Sequence, residues 1–210
     1  MTLAGFLAKQ LHNPSGVLGR VVLPRLFNRR NAALNNLTLE CLALEPGDRV
    51  LEVGFGGGYL LGRMSAMLTE GALAGVDVSP EMVAYCEKRF RSLIQAGRMD
   101  IRCASAEALP YPTACFTKVC TVNTIFYWRD VARAMAELGR VLVEGGRLVI
   151  CFTCKESLEK RAFTRHGIRL FQVTEVQELM EAAGFREVTL VPGRDRHREF
   201  RCAIGTKSRR

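Results

Sequence analysis

The fold is decided by the stretch Val50-Leu51-Glu52-Val53-Gly54-Phe55-Gly56-Gly57-Gly58, in which a short apolar run ends in an acid and opens directly into glycines. Such a run, bounded by glycine, predicts a buried parallel strand that turns tightly into a helix. Glycine has no Cβ and tolerates positive φ, so a ligand can lie against the backbone of the turn and the unpaired N–H groups that begin the helix. The stretch therefore predicts a site for a nucleotide-like ligand.

The spacing of these glycines disfavours a nicotinamide dinucleotide. The dinucleotide fingerprint has glycine at its first, third and sixth positions, and counted from Gly54 the sixth position is Tyr59. A nicotinamide oxidoreductase is therefore a disfavoured interpretation of the turn.

Glu52 and the alternate glycines Gly54, Gly56 and Gly58 resemble motif I, E/D-x-G-x-G-x-G, of the class I S-adenosylmethionine (SAM) dependent methyltransferases. Three further segments are similar to that family in order and spacing: 72–77, 103–112 and 137–150. The resemblance covers residues 31–206 and is closest to the ubiquinone-methyltransferase-like, type 11 branch. It implies an enzyme that transfers a methyl group from SAM to a small molecule by direct displacement and releases S-adenosylhomocysteine (SAH).

The resemblance also implies which residues bind SAM. Glu52 would orient the ammonium of the methionine part, and Asp77, at the end of the second apolar run, would accept hydrogen bonds from the two ribose hydroxyls. The family's usual Asp in the adenine loop is Ser105 here, so the contact to the adenine amine is open between Ser105 and Glu107. The predicted SAM site consists of Glu52, Gly54, Gly56, Gly58, Asp77, Ser105, Ala106, Glu107 and Asn123.

The segment from Asn123 to Trp128 would border the methyl group and its acceptor. It lacks the N/D-P-P-Y/F signature, which disfavours the amino-methyltransferases that act on DNA bases or protein glutamine. Phe126 and Trp128 are either an aromatic wall for a planar or apolar acceptor or ordinary core packing. Asn28, in the N-terminal segment, is a further candidate for the acceptor pocket.

Methyl transfer needs few catalytic groups, because alignment and desolvation of the acceptor can suffice when the leaving group is a sulfonium. A general base is needed only for a protonated acceptor. The candidates, by residue type alone, are Tyr59, Tyr127, His166 and His12. None is singled out, and no metal is expected.

Strands and helices alternate after residue 48, which predicts a parallel sheet with right-handed crossovers. The first two strands are predicted at 49–53 and 72–77, and a helix is predicted over 80–95. Ser79, Pro80 and Glu81 are typical of the start of that helix, as N-cap, first helical position and acid near the helix N-terminus. Two final strands, at 185–191 and 200–206, must pair antiparallel because only Pro192-Gly193 and an Arg-rich turn join them. The resemblance implies an α/β fold: a doubly wound, seven-stranded Rossmann-like methyltransferase sheet of order 3-2-1-4-5-7-6 with the last strand antiparallel. Residues 1–44 are predicted as an N-terminal helical cap and 45–210 as the SAM-binding domain.

The net charge of +9 is concentrated at the two ends of the chain. Residues 1–39 contain five basic residues and no acid, and residues 194–210 contain seven basic residues and two acids. One interpretation is an anionic or apolar acceptor with peripheral membrane contact; the other is solvated, solubilising termini. A second function class is a non-catalytic SAM- or nucleotide-binding module whose basic ends contact nucleic acid or membrane, although nucleic acid is the disfavoured partner.

The eight cysteines show no framework of close pairs and predict reduced thiols in a cytoplasmic protein. Cys151 and Cys154 form a C-x-x-C pair, but no second pair or histidine cluster completes a zinc site. A hydrophobic content of 48% and a charged content of 24% are typical of one globular domain.

Overall fold

The computed structural model describes residues 31–160, 164 and 168–208. The predicted roles of His12, Asn28 and His166, and the first thirty residues of the predicted cap, lie outside the described residues. The helices are α1 (Ala32–Leu42), α2 (Tyr59–Met67), α3 (Pro80–Arg89), α4 (Arg91–Gln95), α5 (Val131–Val141), α6 (Lys155–Leu158) and α7 (Val173–Ala182). The strands are β1 (Arg49–Val53), β2 (Ala72–Asp77), β3 (Met99–Cys103), β4 (Phe116–Val122), β5 (Leu142–Thr153), β6 (Phe185–Arg194) and β7 (Glu199–Lys207).

The seven strands form one sheet of order β3-β2-β1-β4-β5-β7-β6. Strands β1 to β5 pair with one another in parallel, and β7 runs antiparallel to both β5 and β6. The central strand β1 pairs Leu51 with Ala74 of β2 and with Val119 of β4. This topology confirms the predicted methyltransferase sheet and brings the carboxyl ends of β1, β2, β4 and β5 to one edge.

The centre of the sheet is buried on both faces, as the nearly continuous apolar strands predict. Side chains alternate between faces along β5: Leu148, Ile150 and Phe152 join one core cluster, and Val149 and Cys151 join the other. All five are completely buried. Helices on both faces are therefore required to cover the sheet.

Helices α5 and α7 cover one face and contribute Leu138 and Met180 to its core. Helices α1, α2 and α3 contribute to the core on the other face, through residues such as Leu34, Leu61 and Met82. Helix α1 belongs to the predicted cap, yet it packs directly on the sheet. The existence of a separate cap over residues 1–44 stays a prediction.

The start of α3 follows the predicted capping pattern. The Ser79 hydroxyl accepts a hydrogen bond from the Met82 N–H at 3.3 Å, and Pro80 occupies the first helical position. The hydroxyl satisfies one of the backbone N–H groups that have no partner at the start of a helix. Proline at the first helical position has no N–H that would need a partner. These contacts also determine the direction in which the chain leaves Asp77.

The helix predicted over 80–95 is divided into α3 and α4 at Phe90. This residue has φ −107° and ψ 21°, outside the regular helical range, while its N–H still bonds to the Cys86 carbonyl at 2.8 Å. The 7% exposed Phe90 ring packs in the core with Cys86. We attribute the division to this burial, which apolar spacing alone does not reveal.

The expectation that Pro192 and Gly193 lie in the connection between the last two strands is wrong, whereas the Arg-rich turn beyond them is confirmed. Both residues continue β6, where they pair with Arg201 and Phe200 of β7. Proline is tolerated there because β6 is an edge strand, and Gly193 is covered by the Phe200 ring, which a Cβ would approach to 2.1 Å. The turn lies further on and is closed by the bond from the Asp195 N–H to the Arg198 carbonyl at 3.0 Å.

No helix in the described part of the chain combines the length and apolar character needed to cross a bilayer.

Candidate active site

A cleft of about 700 Å³ opens at the edge where the carboxyl ends of the parallel strands meet. Open α/β sheets bind their ligands at this edge. The cleft brings together most of the residues predicted from the sequence, which belong to separate segments of the chain. Those that line it are Glu52, Gly54, Gly56, Tyr59, Asp77, Ser105, Ala106, Glu107, Asn123, Phe126, Tyr127 and Trp128.

The glycine turn after β1 uses a left-handed backbone at each alternate position, with φ of 76° at Gly54, 51° at Gly56 and 65° at Gly58. Gly54 and Gly56 line the cleft, but Gly58 faces the helices behind it. A Cβ at Gly58 would lie 2.7 Å from Sγ of Cys86 and 2.8 Å from Cε2 of Phe90. Gly58 therefore allows close packing of α2 against α3, and its direct contact with a cofactor stays a prediction that this placement does not favour.

Glu52 is the most unusual polar residue of the cleft. Its side chain is 3% exposed, and its Oε2 atom has no hydrogen-bond partner among the described residues. Burial, together with the nearby charge of Asp77, raises the pKa of Glu52 well above its ordinary value, although a backbone hydrogen bond from Leu61 opposes the shift. An unsatisfied buried carboxyl oxygen carries a free-energy cost, and a cationic donor placed here would remove that cost.

Asp77 links the end of β2 to the glycine turn. Its Oδ2 accepts a hydrogen bond from the Gly56 N–H at 2.9 Å, and its Oδ1 accepts one from the Ser79 N–H at 2.9 Å. Burial raises the pKa of Asp77 in spite of these bonds, which favour the ionised form. The Val78 N–H bonds to the same carboxylate, which leaves at least one of its about four lone pairs for a ligand hydroxyl.

The loop after β3 is anchored by Glu107. Its carboxylate contacts the Ser105 hydroxyl and accepts a hydrogen bond from the Arg129 N–H at 2.8 Å, while its carbonyl accepts one from Nε of Arg133 at 2.9 Å. Burial acts to raise the pKa of Glu107, but the bonds from Ser105 and the backbone outweigh it and hold the pKa below its ordinary value. Ser105 and Glu107 thus join the loop to the start of α5, and the choice between them as partner of an adenine amine stays open.

The segment 137–150 supports this loop from behind. Arg140 forms an ion pair with Glu137, with 2.6 Å between Nε and Oε1, and donates to the carbonyls of Leu109 and Tyr111 at 3.0 and 2.8 Å. Glu137 Oε2 accepts a bond from the Leu109 N–H at 2.8 Å. The E-x-x-R pattern therefore fastens the chain just beyond the loop that carries Ala106.

Asn123 terminates β4 and ties three segments together. It adopts φ 57°, a left-handed conformation that Asn tolerates better than most residues. Its Oδ1 accepts bonds from the N–H and hydroxyl of Thr153 at 2.9 and 3.0 Å, and its Nδ2 donates to Oδ1 of Asn31 at 3.2 Å. The side chain thus connects the ends of β4 and β5 with the start of α1.

The aromatic residues of the cleft follow Asn123 in a short 3-10 turn, Ile125–Tyr127. Phe126 is 5% exposed and Trp128 is 9% exposed, and both belong to the core cluster as well as to the cleft lining. The Phe126 ring lies 6.5 Å from the Phe171 ring between centroids. Core packing is thus confirmed for both residues, and their role as an aromatic wall for an acceptor stays a prediction.

Of the candidate bases, Tyr59 and Tyr127 line the cleft. The Tyr59 hydroxyl accepts a hydrogen bond from Nη1 of Arg63 at 3.3 Å. Within the described ranges, no group of three or more His, Cys, Asp and Glu side chains is arranged to hold a metal ion.

Further polar residues that the sequence did not assign to the site also line the cleft, among them Asn31, Thr153 and Arg198. Thr153 ends β5, and the rule that parallel strands end at one edge could have identified it. Asn31 and Arg198 are 167 positions apart, and their sequence context offered only a polar helix start and an Arg-rich turn. Their meeting depends on packing at long range.

The comparisons with known proteins agree with this geometry. A family model described as a methyltransferase domain matches residues 51–150. The uncharacterized methyltransferase YdaC of Bacillus subtilis is 32% identical over 168 residues, which cover 76% of this chain and 83% of that protein. The ubiquinone/menaquinone biosynthesis C-methyltransferase UbiE of Geobacter sulfurreducens is 32% identical over 148 residues, covering 69% of this chain and 56% of that protein.

Solved structures share the fold at lower identity. A SAM-dependent methyltransferase from Aquifex aeolicus aligns with a TM-score of 0.70 at 22% identity, covering 96% of this chain and 97% of that one. The [4+2]-cyclase SpnF aligns with a TM-score of 0.72 at 23% identity, covering 83% and 80%. The sheet order, the cleft and the sequence relatives together define the class: the chain belongs to the SAM-dependent methyltransferases, in the branch that includes UbiE-like relatives. Its cofactor is SAM.

Proposed function

We propose that the protein transfers a methyl group from SAM to a small-molecule acceptor bound beside Phe126 and Trp128. The observation that carries the proposal is the buried Oε2 of Glu52, which lies next to the glycine turn without a hydrogen-bond partner among the described residues. SAM supplies an electrophilic methyl group on a sulfonium; transfer breaks the sulfur–methyl bond, leaves its electron pair on sulfur and yields SAH.

The residues of the cleft fit SAM in chemistry and in order. Glu52 would pair with the methionine ammonium, because a cation satisfies the orphaned oxygen through a charge-assisted hydrogen bond. Gly54 and Gly56 leave the backbone bare where the methionine part would lie. Asp77 would accept the ribose hydroxyls, and Ala106 with its neighbours would contact the adenine ring.

The volume of the cleft favours a small acceptor. About 700 Å³ is within the usual range of small-molecule sites, and SAM itself occupies a large share. The remaining space is the acceptor half of the cleft, which we define by Asn31, Phe126, Trp128, Thr153, Leu158, Ile168 and Arg198. Two relatives, a UbiE C-methyltransferase of ubiquinone/menaquinone biosynthesis and an O-methyltransferase of Pyrenophora dematioidea, are consistent with this acceptor class.

The chain's own contribution to the reaction would be alignment and desolvation. Phe126 and Trp128 are nearly buried, so an acceptor against them loses its water on that side. Holding two reactants in line can lower the barrier by several kcal/mol, about 7–11 in the best intramolecular cases. Tyr59 and Tyr127 are the described residues that could take a proton from a protonated acceptor.

Calorimetric titration with SAM and SAH tests the cofactor site. We expect both to bind the wild type, and Glu52→Gln to weaken SAM binding more than about tenfold because the ammonium loses its ionic partner. Glu70→Gln, which alters an exposed acid, is the matched control and should leave binding unchanged. Absence of binding by both ligands, or equal affinity in the Glu52 variant, would overturn the proposed site.

The acceptor class is tested by transfer of a radiolabelled methyl group from SAM. Incubation with small aromatic and apolar acceptors is expected to give labelled products that extract into organic solvent. Label transferred instead to protein or nucleic acid in a matched incubation, with none to small molecules, would contradict the proposal.

A further inference from the structure

We infer that Arg198 is the specificity-determining residue of the acceptor half, where it binds an anionic oxygen of a planar, mainly apolar acceptor. The inference rests on the proposed function and names the substrate class that the cleft selects. The geometry that carries it is a largely buried guanidinium that lines the cleft, with the Asp195 carboxylate on its Nε edge and neutral acceptor groups on its other edge.

Arg198 reaches the cleft from the turn between β6 and β7. Its side chain is 14% exposed, and it lines the same cleft as Glu52 and Asn123. Most arginines of soluble proteins are solvated at the surface, so a guanidinium with this burial needs local partners that hold its position.

The turn itself orients Arg198. Asp195 Oδ1 accepts hydrogen bonds from the N–H groups of His197 and Arg198 at 2.8 and 3.1 Å. Its Oδ2 accepts a bond from Nε of Arg198 at 3.1 Å. Burial acts to raise the pKa of Asp195, but the bonds from His197 and Arg198 hold the pKa below its ordinary value. One carboxylate thus shapes the turn and fastens the guanidinium by its Nε edge.

The other edge of the guanidinium meets neutral oxygens. Nη2 of Arg198 donates to Oδ1 of Asn31 at 3.1 Å, and Nη1 lies 3.4 Å from the Thr153 hydroxyl oxygen. A carboxylate or phenolate oxygen accepts more strongly than an amide or hydroxyl oxygen, and arginine binds carboxylates through two parallel bonds. An anionic ligand can therefore replace or supplement these contacts at a gain.

Asn31 provides a separate indication that this corner is built for binding. It occupies the position before α1, where asparagine commonly caps the helix, yet its side chain makes no cap hydrogen bond. The Oδ1 atom instead accepts bonds from Arg198 and Asn123. The side chain is diverted from the helix to the cleft, at a cost of about 1 kcal/mol in helix capping.

The charge of the acceptor half also points to an anion. Among the described residues that define this half, Arg198 carries a formal charge, and its ion-pair partner Asp195 is not part of the cleft lining. Phe126, Trp128, Leu158 and Ile168 are apolar. The acids that line the cleft lie elsewhere: Glu52 and Asp77 stand at the ends of β1 and β2, and Glu107 and Asp130 lie at the start of α5. A cation in an apolar, partly desolvated pocket attracts an anion more strongly than it would in water.

Binding of matched ligand pairs to the SAH-saturated protein tests this inference. The probes are benzoate, 4-hydroxybenzoate and 2-naphthoate, each compared with its neutral carboxamide by titration calorimetry. The wild type should bind at least one acid about tenfold more tightly than its amide, and Arg198→Ala should reduce that ratio below about threefold. Arg198→Gln, which keeps a hydrogen-bond donor near Asn31 without the charge, should lose the preference as well.

Arg194→Ala is the matched control. Arg194 ends β6, forms an exposed ion pair with Glu199 and does not belong to the cleft lining, so its removal changes the net charge equally but leaves the acceptor half intact. This variant should retain the preference for acids. Affinity for SAH should stay within about twofold of the wild type in every variant, which also verifies folding.

The outcomes separate the two proposals. Failure of the wild type to bind SAH would reject the proposed function. Normal SAH binding without preference for any acid over its amide, or a preference that survives in both Arg198 variants, would overturn only the role of Arg198.

Discussion

Glu52 shows how a single residue can oppose folding and serve binding. Its raised pKa means that the folded protein keeps a proton at pH values above 4.5, where the unfolded chain has already released it. As the pH rises through this interval, the unfolded state binds fewer protons than the folded state, so the free energy of unfolding falls. The carboxyl is therefore a source of instability at neutral pH until a cation binds beside it.

Replacing this carboxyl should stabilise the cofactor-free protein. We expect Glu52→Gln to melt at a higher temperature than the wild type, with a difference that grows from pH 5 to pH 8. Each 1 kcal/mol corresponds to about 2–4 °C for a domain of this size. Differential scanning calorimetry across this pH range measures the effect, and Glu70→Gln, at an exposed position, should not alter the melting temperature. A Glu52 variant that melts below the wild type at pH 8 would contradict the assignment.

Asp77 prepares the site for binding through its hydrogen bonds to the backbone. Because it accepts the Gly56 N–H, it fixes the glycine turn before any ligand arrives. Its role in the cofactor-free protein is thus conformational, and a ribose would use a lone pair that remains on the same carboxylate. Pre-organisation of this kind lowers the entropy cost of binding.

At the scale of elements, Gly58 governs the packing of α2 against α3. Gly58→Ala would combine left-handed backbone strain with a collision against Cys86 and Phe90, and should cost about 2–4 kcal/mol of unfolding free energy. Gly97→Ala isolates the first effect, since Gly97 has φ 67° with no atom within 4 Å of an added Cβ. Urea unfolding of both variants measures the difference. Equal losses would show that the collision contributes nothing.

The strands were predictable because their residues obey local rules. The limits predicted for β1 and β2 are those of the structure, since each is an apolar run ended by glycine or an acid. The continuation of β6 through Pro192 and the division of the helical segment at Phe90 have a different cause. In both cases tertiary packing decides the local conformation: the pairing of β6 with β7 at the sheet edge, and the burial of Phe90 in the core.

The residues of the candidate site also differ in how far the sequence predicts their place. Glu52 and Asp77 follow strands in a recognisable order, so a sheet with parallel strands places them at one edge. Arg198 belongs to a turn whose sequence indicates only charge, and its contact with Asn31 spans 167 positions. Nothing in the local pattern distinguishes it from the exposed Arg194.

At the scale of the whole molecule, cofactor binding should stabilise the entire domain, because the cleft joins the ends of β1, β2, β4 and β5. A ligand at 100 times its dissociation constant adds about 2.7 kcal/mol to the free energy of unfolding. We therefore expect saturating SAH to raise the melting temperature by about 5–11 °C. Asp77→Ala should lose most of this increase.

Differential scanning fluorimetry with increasing SAH measures this shift, and adenosine and methionine added separately serve as controls for the two parts of the ligand. An Asp77 variant with the full increase would show that the ribose contact contributes little to binding.

The joining of Asn31 to Arg198 also has a consequence for synthesis on the ribosome. All residues proposed to bind SAM lie between Glu52 and Asn123, whereas the hairpin that carries Arg198 is synthesised after them. Domains fold as units once their sequence has emerged. A nascent chain halted before this hairpin would carry the proposed cofactor residues without Arg198, so we expect acceptor recognition to require synthesis of the hairpin.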